Sequence, residues 1–403
     1  MIRQLLIKNF KSIQELDIEL GRVTVLIGAN GSGKSNILEA LALCSAAAYN
    51  KLDHEFLVSR GIRVPDDPRF MRSAFEAEHT KEHIRISVTG LLSEELDAGD
   101  VATKGDVASQ IPISYCFLQN DNKSPYSTWT NIATENVAFP IQTVETLQNI
   151  FEARGQFNLS ADTAYALLRD FNRRRKQQSS PKGLRDFLIY SPENSSLRTF
   201  ETEGQIQPLG IKGEGLFKLL TVLSNQQSKE SINEIKKRLA LLDWFDDFEV
   251  APGLSTGERT LNIKDRYLDE SLSYFTQKSA NEGFLFLLFY FTLFISKETP
   301  SFFAIDNIDA SLNPKLCSQL LKELVELART HGKQAIVTTH NPAILDGLDL
   351  NDDEQRLYVV SRNKIGHTKV KRITKPEPLP GEEPIRLSEA FLRGYLGGLP
   401  GNF

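Results

Sequence analysis

Apolar residues recur along the chain in patterns that predict a mixed α/β protein. In the N-terminal part the patterns predict three strands and then a helix: Ile2–Phe10, Leu16–Leu20, Val23–Ile27 and Asn36–Ala48. In the C-terminal part they predict helix, strand, helix and strand in turn: Phe284–Ile295, Phe302–Ile305, Pro314–Thr330 and Gln334–Thr338. Alternation of this kind is typical of a parallel sheet that is covered by helices.

The middle of the chain has a different pattern. Apolar residues at helical spacing between Thr143 and Pro181 predict a helical insertion, and Phe248–Ile263 predicts a β-hairpin. We therefore expect an α/β fold with a β-rich N-terminal subdomain, a helical insertion and a C-terminal lobe. The expected regions are an N-terminal lobe (1–142), a helical subdomain (143–245), a C-terminal lobe (246–374) and a tail (375–403).

Composition narrows the class of protein. With 40% hydrophobic and 25% charged residues, the 403-residue chain is typical of a soluble globular protein. Its three cysteines, Cys44, Cys116 and Cys317, are scattered, which suits a reducing cytoplasm and argues against a disulfide framework. The most apolar stretch, Phe284–Ile295, is too short to cross a bilayer, so we expect no membrane partner. The net charge of −5 means that any contact with DNA or RNA requires a local basic patch.

The most specific motif is Gly28–Ser35, which reads G-x-x-x-x-G-K-S between a predicted strand and a predicted helix. This is the P-loop that binds nucleotide triphosphates, because its glycines let backbone N–H groups turn toward the phosphates. The residues expected to contact ATP are Asn30, Gly31, Ser32, Gly33, Lys34, Ser35 and Asn36. Lys34 is expected to reach the β- and γ-phosphates, and the Ser35 hydroxyl is expected to bind Mg²⁺.

Two later strands supply further candidates for the same site. Asp306 ends the apolar strand Phe302–Ile305, and in P-loop proteins an aspartate at this position holds the Mg²⁺ ion. His340 ends the strand Gln334–Thr338, where it is placed to sense the γ-phosphate or to orient the attacking water. The alternative is that His340 only caps the following helix or lies exposed.

Several motifs together resemble one family. They are Ile7–Ser12, the P-loop, the Asp306 strand, Leu312–Pro314 and Thr339–Pro342. In this combination the chain resembles the ABC-type ATPases of the SMC/RecF group, and in particular the small bacterial ATPases of anti-phage systems that are akin to the ATPase half of OLD nucleases. The resemblance covers nearly the whole chain, and it implies an ATP-binding head that works as a homodimer or a higher homo-oligomer.

In such a dimer each P-loop faces a signature segment of the partner head, and the chain has two candidates for that segment. Leu254–Glu258 matches the family better letter by letter, but it lies in the predicted hairpin. Ser279–Gly283 directly precedes the helix Phe284–Ile295, and a signature needs a helix N-terminus to aim its N–H groups at a phosphate. We therefore favour Ser279, Asn281 and Gly283, with the choice between the Ser279 and Asn281 side chains left open.

One position departs from the family. ABC-type heads usually carry glutamate after the aspartate of the metal site, as the base that positions water, and here that residue is Asn307. Loss of a general base commonly lowers the rate by about 10² to 10⁴. Either Asp309 takes over this role, or hydrolysis is slow and ATP acts mainly as a conformational switch, and the second reading is slightly favoured.

The resemblance also implies a partner. OLD nucleases carry a metal-dependent nuclease domain after the ATPase, whereas the carboxylates that follow His340 here, such as Glu382 and Glu383, fall in a predicted linker. We therefore expect a separate effector protein, which could be a nuclease, and a role in defence.

Three other classes of function compete with this reading. A RecF-like DNA repair ATPase would bind DNA, with Arg173–Lys176 as the candidate contact, although that cluster also suits an ordinary helix end. A transporter subunit and a P-loop kinase fit the other motifs less well.

Overall fold

The secondary structure follows the predicted order closely. The computed structural model describes residues 1–73, 75, 82–90, 111–118, 128–131, 181, 183–199, 208–252, 259–269, 271–375 and 385–398. The strands are β1 (Ile2–Phe10), β2 (Ile13–Glu19), β3 (Val23–Ile27), β4 (Ile84–Gly90), β5 (Ile111–Leu118), β6 (Thr130–Asn131), β7 (Ile189–Tyr190), β8 (Phe245–Pro252), β9 (Arg259–Asp265), β10 (Phe275–Thr276), β11 (Phe302–Ile305), β12 (Gln334–Thr339), β13 (Gln355–Arg362) and β14 (Thr368–Ile373). The helices are α1 (Lys34–Ala48), α2 (His54–Ser59), α3 (Leu216–Asn225), α4 (Glu230–Leu239), α5 (Glu282–Ile295), α6 (Pro314–Thr330) and α7 (Leu387–Leu392).

The chain divides into two compact units, each made of several segments. The first comprises Met1–Glu19, Leu43–Leu57 and Val64–Arg185, and the second comprises Leu20–Ala42, Val58–Arg63 and Asp186–Phe403. These units do not test the predicted division into four consecutive regions, which stays a prediction.

The first unit contains an antiparallel sheet in the order β2-β1-β4-β5-β6. In β1, β2 and β4, buried apolar residues alternate with more exposed ones, as expected for a sheet with one face on a core. Ile7 of β1, for example, pairs with Leu16 of β2 and Ile86 of β4, and all three side chains are buried.

The second unit contains a six-stranded sheet in the order β14-β13-β3-β12-β11-β7. All neighbours are parallel except β14, which runs antiparallel to β13 at one edge of the sheet. Every residue of β3, β11 and β12 is buried, which explains why these strands do not alternate between buried apolar and exposed polar positions. The predicted parallel sheet is therefore confirmed.

Helix α5 forms the centre of the second unit's core. Its twelve residues from Phe284 to Ile295 are all buried, and they pack with apolar residues of α3, α4 and α6. A helix that is apolar all round has no solvent face, and α5 is such a buried helix. Among the described residues, no helix is both long and apolar enough to cross a membrane.

Some details differ from the predictions. Helix α1 begins at Lys34, two residues before the predicted start, and α2 is a helix that the sequence patterns do not predict. Helix α2 has only six residues and buries only Leu57, so it shows no readable period; the Asp53 carboxylate accepts a hydrogen bond from the Phe56 N–H (2.9 Å) at its start. The predicted hairpin is confirmed as β8 and β9. The predicted helices within Thr143–Gln178, the basic cluster Arg173–Lys176, the signature candidate Leu254–Glu258, and Glu382 and Glu383 lie outside the described residues.

Candidate functional site

The topology of the parallel sheet brings three sequence motifs to one edge. Strand β12 lies between β3 and β11 and is parallel to both. The P-loop follows β3, His340 follows β12 and Asp306 follows β11, so all three leave the sheet at the same carboxyl edge. In α/β sheets this edge is where ligands bind.

The P-loop has the backbone conformation that its glycines permit. Gly31 and Gly33 have φ values of 72° and 109°, in a region that side-chain-bearing residues rarely adopt. Helix α1 then begins at Lys34, so its first N–H groups and the positive end of its dipole face the loop. The Ser32 hydroxyl is buried and has no hydrogen-bond partner within the described part of the chain, which leaves it available to a bound group.

Lys34 points into the loop rather than into solvent. Its Nζ donates to the carbonyl oxygens of Gly28 (2.8 Å) and Ala29 (3.1 Å) and lies 3.5 Å from Nδ1 of His340. Burial lowers the pKa of Lys34 to about 8, although the carboxylates of Asp306 and Asp309 act in the opposite direction. A buried ammonium of this kind is stabilised by an anion, and the phosphates of a nucleotide would supply one.

Ser35 and Asp306 make direct contact. The Ser35 hydroxyl donates to Oδ2 of Asp306 over 2.9 Å, which joins the start of α1 to the end of β11. Both offer oxygen, the ligand that Mg²⁺ prefers, and Mg²⁺ usually takes only one or two protein ligands beside phosphate and water. Ser35 and Asp306 are therefore the candidate ligands for Mg²⁺. Among the described residues there is no group of three or more His, Cys, Asp and Glu side chains that could hold a metal ion.

Thr338 orients Asp306 and was not found by sequence reasoning. Its hydroxyl is fully buried, donates to Oδ1 of Asp306 (2.5 Å) and accepts from the backbone N–H of Asn307 (2.9 Å). The two carboxylate oxygens of Asp306 therefore have separate partners, Thr338 on one side and Ser35 on the other. A threonine inside a buried strand is common because of its β propensity, so no sequence signal marks this one.

Asn307 and Asp309 differ in how they face the site. Asn307 has a left-handed backbone (φ 55°), and its side chain is exposed and makes no hydrogen bond to another described residue. Oδ1 of Asp309 accepts a hydrogen bond from the backbone N–H of His340 over 3.4 Å, so the carboxylate lies beside that residue. Burial and then the nearby Lys34 ammonium lower the pKa of His340, and Asp309 opposes this. The lowered pKa favours the neutral form of the His340 ring.

The second signature candidate lies at a helix N-terminus as its prediction requires. Oδ1 of Asn281 accepts from the N–H of Phe284 (2.8 Å) and so caps α5. Because that oxygen is occupied, only the amide nitrogen of Asn281 is free to reach a phosphate, whereas Ser279 is exposed. Gly283 is half-buried against Ser311.

Arg198 holds the signature candidate in shape, and sequence reasoning missed it too. Its guanidinium donates to the carbonyl oxygens of Gln277 (2.6 Å), Lys278 (2.9 Å) and Ala280 (2.8 Å). Three carbonyls that converge on one cation fix the path of the chain into α5. No sequence motif marks Arg198, because its role depends on carbonyl groups that lie 79 to 82 residues further along the chain.

The segment after β11 connects Asp306 with this helix start. It runs from Asn307 to Asn313, and within it Ser311 has a left-handed backbone (φ 60°). The Ser311 hydroxyl donates to Glu282 over 2.8 Å, and a Cβ added at Gly283 would lie 3.4 Å from the Ser311 carbonyl oxygen. The candidate metal site and the candidate signature are thus joined within one chain by a single short loop.

The family follows from a match that includes the P-loop. The sequence model of the family described as "AAA ATPase domain" matches residues 1–282, well over half of the chain. The chain belongs to this family. The match ends before Asp306 and His340, so the second half of the site in this AAA ATPase rests on the geometry above.

Two curated relatives are similar to a short part of this AAA ATPase. An OLD nuclease of Thermus scotoductus is 34% identical over 67 residues, which is 17% of this chain and 11% of that protein. The uncharacterized protein MJECL10 of Methanocaldococcus jannaschii is 43% identical over 67 residues, 15% of this chain and 31% of that protein. The chain therefore spans less than a third of the length of either relative.

A solved structure shows the fold over nearly the whole chain. The SMC head bound to the C-winged helix domain of ScpA is similar to this AAA ATPase with a TM-score of 0.53 and 16% identity, over 93% of this chain and 97% of that one. The fold is therefore that of an SMC head, a mixed α/β P-loop ATPase. Together with the family and the OLD relative, it makes the chain an SMC/RecF-like ATPase related to OLD-family proteins.

Proposed function

We propose that this AAA ATPase binds ATP with Mg²⁺ at the carboxyl edge of its parallel sheet, hydrolyses it slowly, and uses it to join two heads that control a separate effector protein. The observation that carries the nucleotide site is the arrangement around the P-loop. Lys34 is buried among carbonyl oxygens, and the Ser35 hydroxyl lies 2.9 Å from the Asp306 carboxylate. Asp306 follows β11, which is the neighbour of β12, the strand that precedes His340.

Each side chain has a defined task in this proposal. The P-loop N–H groups and Lys34 hold the phosphates, and Ser35 and Asp306 hold Mg²⁺ with Thr338 fixing the carboxylate. When bound, Mg²⁺ neutralises charge that develops on the phosphate oxygens. The His340 ring lies 3.5 Å from the Lys34 ammonium, which is expected to contact the γ-phosphate. A neutral His340 can therefore exchange a hydrogen bond with that phosphate.

Slow hydrolysis follows from the residue after Asp306. Asn307 cannot accept a proton, so it can orient water but cannot act as the general base. Asp309 is the only other carboxylate at this edge among the residues named in the site, and it is anchored to the His340 backbone. We infer that Asp309 contributes what base catalysis remains, and that ATP serves mainly as a switch.

The proposed dimer follows from where Ser279–Gly283 lies. The capped start of α5 presents N–H groups and an exposed Ser279, and within its own chain this segment is joined to the loop after Asp306 rather than to the P-loop. A second copy would place such a segment against each bound γ-phosphate.

Control of an effector, and a role in anti-phage defence, rest on relatives. The OLD relative is named as a nuclease, and the similar SMC head was solved with a domain of another protein bound to it. We propose that this chain likewise acts through a separate protein, with a nuclease as the first candidate. A RecF-like role in DNA maintenance is the alternative.

The test is ATP turnover by the purified protein, with Lys34→Ala as the blank. We expect a wild-type rate below about 1 s⁻¹, a typical lower value for enzymes, and none for Lys34→Ala. Asn307→Glu should raise the rate by about 10² or more, and Asp309→Asn should lower it further. Fast turnover by the wild type, or no ATP binding at all, would contradict the proposal.

A further inference from the structure

The sheet edge next to the P-loop carries exposed lysines, two of them in β14 and two in the residues that flank it. We propose that the hairpin of β13 and β14 binds the phosphate backbone of a nucleic acid, without sequence preference, at a position in direct contact with the P-loop. The proposed surface, called here the lysine edge, consists of Lys364, Lys369, Lys371 and Lys375.

Charge along this segment is opposite to that of the chain. Residues 360–375 include six Lys and Arg and no Asp or Glu, whereas the whole chain has a net charge of −5. A protein with this balance can hold a polyanion only through a local patch of positive charge. The hairpin provides such a patch within sixteen consecutive residues.

Strand geometry fixes the spacing of the two lysines that lie within β14. Lys369 and Lys371 are two residues apart in β14, so both project from the same face, about 7 Å apart. Strand β14 is the last strand of its sheet and pairs only with β13, so its outer edge is open within the described structure. All four lysines are exposed; β14 presents Lys369 and Lys371 on one face, and Lys364 and Lys375 flank the strand in sequence.

No described carboxylate pairs with any of these four lysines. Other cations of the same unit are paired, as Arg22 is with Glu354 (3.0 Å) and Lys264 with Asp246 (2.8 Å). Within the described part of the chain, no carboxylate therefore offsets the charge of the lysine edge, and binding a phosphate chain would release the counterions that it holds.

A simpler reading is that the lysines only protect an open sheet edge from pairing with other chains. That role explains one or two charges on β14 but not Lys364 in the preceding turn or Lys375 beyond the strand. A protein partner is also a poorer match, since stable protein interfaces are depleted in lysine and centre on buried aromatic or aliphatic anchors. Only Ile365 is an exposed large apolar residue on this hairpin.

The hairpin touches the P-loop at two points. The Thr368 hydroxyl donates to the Ser32 carbonyl over 3.0 Å, and a Cβ added at Gly28 would lie 2.0 Å from the Val360 carbonyl oxygen. These contacts connect the hairpin directly with the loop that is proposed to bind ATP. We infer that nucleic acid and ATP influence each other's affinity, by equal factors as linkage requires.

The test measures anisotropy of a labelled duplex DNA and, separately, of a labelled single-stranded RNA with the full chain and no nucleotide. The variant is Lys369→Ala/Lys371→Ala, and the matched control is Lys297→Ala/Lys322→Ala, which removes two exposed lysines elsewhere in the same unit. We expect the first variant, but not the control, to bind about tenfold more weakly at moderate salt. The slope of log affinity against log salt should become shallower by about 2.

Several outcomes would overturn the proposal. The first is that the wild type binds neither probe at low salt. The second is that both double variants lose the same affinity. The third is that the wild type binds labelled polyglutamate as tightly as the nucleic acids. Increased aggregation of Lys369→Ala/Lys371→Ala with unchanged binding would show an edge-protecting role instead. Because these measurements contain no ATP, their failure is independent of the proposed nucleotide site.

Discussion

At the scale of single residues, the orientation of the Asp306 carboxylate depends on the Thr338 hydroxyl, which has no direct role in the proposed binding of ATP or Mg²⁺. The Thr338 hydroxyl fixes one oxygen of the Asp306 carboxylate and leaves the other for Ser35. Groups that orient a metal ligand commonly change metal affinity by about 10- to 100-fold when removed. The site therefore includes a residue that no motif would have selected.

We expect Thr338→Val to raise the Mg²⁺ concentration that gives half-maximal turnover by about tenfold. The isosteric valine leaves Asp306 and the Asn307 N–H without their shared partner but keeps the packing of β12. The measurement is ATP turnover over a Mg²⁺ titration. Thr338→Ser, which keeps the hydroxyl, should restore the wild-type value; equal defects in both variants would argue that Thr338 acts through packing alone.

The lowered pKa of Lys34 makes ATP affinity depend on pH. In the free protein this pKa is about 8, and bound phosphates should raise it, so binding takes up a proton once the pH exceeds about 8. Affinity should be constant below that pH and should fall as the pH rises above it, approaching tenfold for each unit. Titration with a fluorescent ATP analogue between about pH 7 and pH 9.5 measures this. Lys34→Met should bind weakly and lose the decline, and a decline that persists in this variant would point to another group.

At the scale of elements, the P-loop is packed against β13 as well as being attached to β3. The Val360 carbonyl oxygen would lie only 2.0 Å from a Cβ at Gly28. Glycine at this position is therefore required by a neighbouring strand and not only by the turn of the loop. Sequence patterns assign Gly28 to the nucleotide motif and cannot reveal this second reason.

We expect Gly28→Ala to destabilise the protein by about 1–3 kcal/mol, because backbone atoms on both sides must move apart, and to weaken ATP binding as well. The matched control is Gly332→Ala, at a positive φ of 64° but with no atom within 4 Å of the added Cβ. That variant should lose about 1 kcal/mol through backbone strain and bind ATP normally. Denaturant unfolding and ATP titration give the two readouts; normal ATP binding by Gly28→Ala would contradict the expectation.

The sequence predicts most elements of this fold because local signals and tertiary packing agree. Buried strands such as Phe302–Ile305 and amphipathic helices such as Pro314–Thr330 match their predicted bounds, because the strand is a continuous apolar run and the helix is long enough to show its period. Helix α2 was missed because six residues with one buried side chain carry no period. Its start depends on the Asp53 cap rather than on hydrophobic pattern.

The residues of the candidate site likewise include some that the sequence could identify and some that it could not. Lys34, Ser35, Asp306 and His340 could be selected from motifs, and the order of parallel strands then brings them together. Thr338 and Arg198 could not, because their roles depend on which atoms face them across the fold. The structure also shows that the Asn281 oxygen caps a helix, a contact that the sequence motifs do not reveal.

At the scale of the whole molecule, the proposed working unit is a pair of heads held by ATP. We expect ATP with Mg²⁺ to shift the protein from monomer to dimer in analytical ultracentrifugation, since slow turnover lets the bound state persist. Ser279→Arg should block this shift without loss of ATP binding, because it adds a bulky charge at the proposed contact. The control is Ser228→Arg, on an exposed turn between α3 and α4, which should dimerise normally. Dimerisation of both variants would place the interface elsewhere.

The contact between Ser311 and Glu282 has a consequence for how such a pair would respond to ATP. The loop that follows Asp306 contacts the N-terminus of α5. In the proposed dimer, this N-terminus is the part of the chain that faces the ATP of the partner. Filling one pocket would therefore adjust the surface that completes the other, and the two pockets could not fill independently. With positive coupling, the two pockets of a pair would tend to be empty together or filled together, and half-filled pairs would be rare.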